Sequence, residues 1–125
     1  MTTSDIHGAL SNTAGLYFLL LSVWGFWRFF RKQGLDASYR GALVVAEVLV
    51  VLQALLGGYL WLAGLRPARM VHILYGLLLP AIIPAAFSYT KGREGRAEVL
   101  IYASLLLFGV GVVMRAYFTG IFTTP

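Results

Sequence analysis

Hydrophobic positions along this chain fall into four long runs, about Ala9–Phe30, Ala42–Leu65, Met70–Phe87 and Val99–Phe118, separated by short polar breaks. Each run is close to the ~20 apolar residues that carry a helix across the hydrocarbon core of a bilayer. The pattern predicts an all-α fold: an integral membrane four-helix bundle, up-down, in a single membrane domain. The first break, QGLDASYR, is polar and contains Gly34. The second is a tight turn, Gly64-Leu65-Arg66-Pro67-Ala68-Arg69, and the third, SYTKGREGRAE, is rich in glycine and charge.

Composition sharpens this picture. The chain is 59% apolar and 12% charged, where a soluble domain carries about 25% charge. Four spans use most of the 125 residues, which leaves no room for a soluble domain. The first ten residues, MTTSDIHGAL, hold no Lys or Arg, so they lack the basic region of a signal peptide, and the first helix is expected to be retained. The absence of cysteine excludes disulfides, covalent c-type haem, thiolate-ligated haem and iron–sulfur clusters.

The net charge of +5 is not a nucleic-acid signal, because the cations sit at span ends. Arg28, Arg31, Lys32 and Arg40 flank the first connection, and Lys91, Arg93 and Arg96 lie in the third. Only Arg66, Arg69 and Arg115 lie toward the other side. By the positive-inside rule the first and third connections face the cytoplasm, and both termini and the Arg66–Arg69 turn face outside. The partners this implies are the lipid bilayer, in a bacterial inner membrane, and a larger membrane complex. Tyr17, Trp61 and Phe108 are candidates for a face covered by such a complex. Trp24 and Trp27 are expected as interfacial anchors.

Chemistry has few candidates. There is no phosphate loop and no Ser/His/Asp set, and two histidines without cysteine do not make a structural zinc site; no enzymatic activity of its own is expected. Glu47 falls a little over one turn inside the second span, either paired with Arg40 or a loop cation, or serving as a proton or quinone site. Gln53 is expected to hydrogen-bond across helices. Pro80 removes the donor to the Gly76 carbonyl. The two histidines, His7 and His72, open the first and third spans. At 1.5 Å per residue, Gly15, Gly57, Gly58, Gly76, Gly109 and Gly111 all lie roughly 7–14 Å below the outer surface, beneath the two histidines. Small residues also mark close helix packing, which accounts for the glycines singly but not for two histidines at one depth above them. A flat apolar cofactor between helices needs this arrangement. Haem b with two axial imidazoles fits it, its propionates met by Arg66, Arg69 and Arg115. The expected function is a haem b-binding subunit of electron transport; the alternative is a cofactor-free accessory subunit of a larger bioenergetic complex.

The stretch LQALLGGYLWLAGLRPARMVHILYGLL, with the basic end WRFFRK of the first span, resembles the second and third helices of one four-helix half of the haem A synthase family. That half holds haem between a histidine on its first helix and one on its third, so the resemblance implies His7 and His72 as ligands. It covers about residues 6–118. The family's Glu-x-x-His-Arg motif is not matched, since Ser4 and Gly8 occupy the Glu and Arg positions around His7. The resemblance therefore implies a bundle and a haem b site, but not synthase activity.

Overall fold

The computed structural model describes residues 2–65, 67 and 69–121, with the side chains of residues 119–121 left aside. Four helices account for nearly all of it: α1 (Thr3–Phe30), α2 (Ala37–Leu62), α3 (Val71–Thr90) and α4 (Arg96–Ile121). All four are long and apolar enough to cross a membrane.

The helices overrun the apolar stretches where polar residues can cap them. α1 starts at Thr3 because Thr2 and Asp5 form a capping box, each side chain taking the other's backbone N–H at 3.0–3.1 Å. α2 starts at Ala37 because Asp36 accepts the Tyr39 N–H at 2.8 Å. It stops short of Leu65 because Gly64 takes a left-handed conformation, φ 92°. Gly64 N–H then donates to Trp61 O and Leu65 N–H to Leu60 O, closing two carbonyls that the helix end leaves unmet. Pro80 and Pro84 lie inside α3 without ending it.

Neighbours pack antiparallel in a ring, α1–α2–α3–α4, closed by α4 against α1. Cross-helix contacts fix the register. Tyr17 donates to Ala42 O at 2.9 Å between α1 and α2, and Ser22 donates to Ala103 O at 2.8 Å between α1 and α4. The α1–α4 seam is the most extensive and the α2–α3 seam the least. Phe18, Tyr39, Val50, Val99 and Leu106 are fully buried at the centre. Outward, Val44, Val48, Leu55, Leu74, Leu77 and Phe108 are exposed. That apolar exterior suits lipid and far exceeds the patches a soluble monomer shows. The protein is an integral membrane protein.

One end of the bundle, the loop end, is tied together across its two connections. Leu35 N–H donates to Glu94 O at 3.0 Å, Arg40 pairs with Glu94, and Arg96 Nε donates to Phe29 O at 2.7 Å. Arg28 donates to Gly34 O at 2.8 Å and pairs with Asp36 at 3.2 Å. The opposite end carries both histidines.

Candidate functional site

At the histidine end several polar side chains meet inside the bundle. His7 sits in the second turn of α1, within the helix that the Thr2–Asp5 box starts. His72 is the second residue of α3. Their rings approach with centroids 6.1 Å apart and planes at 76°. α1 and α3 lie diagonally across the ring of helices, so the two imidazoles reach toward each other through the interior.

The other two helices frame the pair. His72 Nδ1 lies 2.6 Å from the Ala116 carbonyl of α4. On α2, Gln53 Nε2 donates to the His7 carbonyl at 2.8 Å. A side chain at Gly57 would put its Cβ 3.3 Å from His7 Cε1, so Gly57 is the floor on which that ring lies. Two buried atoms here have no hydrogen-bond partner: His7 Nδ1 and Gln53 Oε1. Buried polar atoms are nearly always satisfied, so these two are left to meet a further polar group. Below His7, a cleft of about 290 Å³ opens between α1 and α4, lined by Ser11, Gly15, Val113 and Tyr117.

Two histidines alone do not complete a site for an ordinary protein-held metal. Among the described residues no three His, Cys, Asp or Glu side chains gather to hold one. Two imidazoles suffice only where the metal brings its own equatorial ligands, as haem iron does. Ligand histidines commonly hold the other ring nitrogen on a backbone carbonyl; Nδ1 of His72 stands in that relation to Ala116. With metal–nitrogen bonds of about 2.0 Å, two imidazoles facing each other across one metal have centroids about 6 Å apart. His7 and His72 are the donor set that such a group would need.

The glycines do not all serve the pair. Gly57 does. Gly15 meets Val113 and lines the α1–α4 cleft, and Gly109 is filled by Phe18, whose ring atoms would lie only 2.7 Å from an added Cβ; both glycines admit α1–α4 contact. Gly58 and Gly111 face outward with open space beside them, and Gly76 is half-buried with nothing within 4 Å of an added Cβ. The expected layer of small residues under both histidines is therefore not formed. Each helix presents a different face at that depth, and spacing along a helix does not record the face. Arg69 and Arg115 are exposed at the histidine end; Arg66 lies outside the described residues.

Glu47 is half-buried at the α2–α3 seam, with Oε1 buried and unpartnered. Arg40 pairs with Glu94 of the third connection and Arg93 with Glu98 in the first turn of α4, so these cations are turned to those carboxylates and not to Glu47. Tyr17, expected on an outward face, is instead half-buried against the core and bound to Ala42. Trp61 is half-buried and Phe108 is exposed. Trp24 packs edge-on against Tyr39, 4.9 Å between centroids, as part of the core, and Trp27 is exposed with Arg31 over its ring.

Compared with family models, with curated proteins and with solved structures, the chain matches none of them.

Proposed function

We propose that this protein is a haem b-binding subunit of electron transfer in the bacterial inner membrane, with His7 and His72 as the axial ligands near the outer face. The observation that carries this reading is the meeting of the chain's only two histidines across the bundle, 6.1 Å between centroids, beside the unpartnered Nδ1 of His7. Haem supplies a one-electron redox centre when bound. The chain's own residues position it: Ala116 O orients His72, Gln53 ties the His7 turn to α2, and Gly57 admits the His7 ring. Arg69 and Arg115 lie at the same end, where propionates would meet them. The resemblance to haem A synthase supports the cofactor class, and the unmatched Glu-x-x-His-Arg motif argues against synthase activity.

The test is a reduced-minus-oxidised spectrum of protein made with ample haem. A Soret band and a sharp alpha band are expected, lost in His7→Ala and in His72→Ala while helical content persists. Their absence from the unaltered protein would overturn the reading.

One observation favours the second reading, an accessory subunit of a larger membrane complex. Asn12 is exposed on α1 beside the α1–α4 cleft, and an amide facing outward from a membrane helix is better met by another helix than by lipid. Purification in mild detergent should then recover larger subunits with the chain, and recovery only as a free monomer counts against it.

A further inference from the structure

A second cleft, of about 570 Å³, opens between α2 and α3 toward the loop end of the bundle. It lies where the two helices pack least closely, and its volume falls in the range of small-molecule sites. Its walls are apolar: Val44 and Val48 from α2, Ile83 and Phe87 from α3. Glu47 lines it from within, and its Oε1 is buried without a partner. Toward the loops stand Arg40, Ser88, Arg93 and Glu94, and Tyr102 of α4 also lines the cleft. Glu47 is ten residues from Gly57, roughly 15 Å along α2, so this cleft is distinct from the histidine pair.

The two poles define the occupant. The inner pole is an acceptor, and an unmet buried acceptor calls for an O–H or N–H donor. The outer pole mixes donors and acceptors, Arg40, Arg93, Ser88 and Glu94, and its cations are already balanced, Arg40 by Glu94 and Arg93 by Glu98, so a hydroxyl, which both donates and accepts, suits it. A balanced mouth does not select an anionic headgroup, and an alkyl chain offers nothing to Glu47. A neutral aromatic ring with a hydroxyl at each end satisfies both poles and places its face on Phe87 and the aliphatic walls. We propose that the α2–α3 cleft binds a lipid-soluble quinol, one hydroxyl donating to Glu47 and the other facing the Arg40–Arg93 mouth. The assignment goes beyond the haem reading and does not depend on it.

The test uses the full chain in detergent with decylubiquinol as the probe, its retention measured after gel filtration, so that no haem is needed for the readout. Stoichiometric retention is expected. Glu47→Leu should weaken binding about tenfold, the worth of one lost hydrogen bond, and Glu47→Gln, which keeps an acceptor oxygen, should stay within about threefold of the unaltered chain. Val44→Trp should abolish binding by filling the cleft; Val44 is 62% exposed, so this change leaves the core intact and decides the matter if Glu47→Leu does not fold. Dodecanol, with one hydroxyl and no ring, should not displace the probe. Retention that is unchanged in Val44→Trp, or equal displacement by dodecanol, would overturn the proposal.

Discussion

The hydroxyl of Tyr39, fully buried on α2, donates to the carbonyl of Leu21 on α1 at 2.9 Å. The contact is possible because Gly25 has no side chain. A Cβ there would lie 2.6 Å from that hydroxyl and 2.8 Å from Ala103 Cβ of α4. Three helices thus converge on one glycine. Gly25→Ala is expected to destabilise by about 1–3 kcal/mol through overpacking, and Tyr39→Phe by about 1 kcal/mol through the lost hydrogen bond. Thermal unfolding in detergent should show the larger drop for Gly25→Ala.

The glycines near the histidines separate in the same way. Gly57→Val should displace the His7 ring and abolish haem uptake, because its Cβ would already touch Cε1 at 3.3 Å. Gly111→Val adds its side chain to open space on the outer face and should leave the spectrum unchanged. Equal loss in both variants would place the cofactor elsewhere.

Gln53 is expected to hold the first turns of α1 in place. Removing the amide in Gln53→Leu leaves the His7 carbonyl without its cross-helix donor, a loss of about 0.6–2 kcal/mol for a hydrogen bond between membrane helices. Amide exchange should speed up over residues 7–11 and stay unchanged in α4. Uniform behaviour along the chain would show that the bond contributes nothing local.

Orientation follows from charge. Reporter fusions at Gly34 and Gly92 should read cytoplasmic, and one at Pro125 external, because seven cations border the first and third connections. A cytoplasmic reading at Pro125 would move the histidine pair to the inner face.

The four helices were legible because long apolar runs broken by Gly, Pro and charge admit few other readings. Their starts were less so. Tyr39 lies in QGLDASYR, which reads as a loop, although Asp36 within it is a capping residue that marks the helix start. In the sequence the pairing of His7 with His72 rests on depth and on the resemblance, and the structure adds the face. Face is what depth misses: Gly57 and Gly58 share a depth, yet one meets His7 and the other looks outward. Tyr17 and Gly25 were opaque for a related reason. Which side of α1 meets α2, and which meets α4, depends on the order of helices around the ring, and no helix carries that order in its own composition.

The ties at the loop end give the chain a divisible character. α1 with α2 and α3 with α4 are two hairpins, and the α2–α3 turn is the sole covalent link between them. The hairpins adhere along the long α1–α4 seam and through Leu35, Arg40, Glu94, Arg96 and Phe29 at the far end. A chain severed between Leu65 and Arg69 should therefore reassemble when its two pieces are expressed together. Each fragment carries one histidine of the pair, so the haem spectrum would report complementation: neither piece alone should show it, and the recombined pair should.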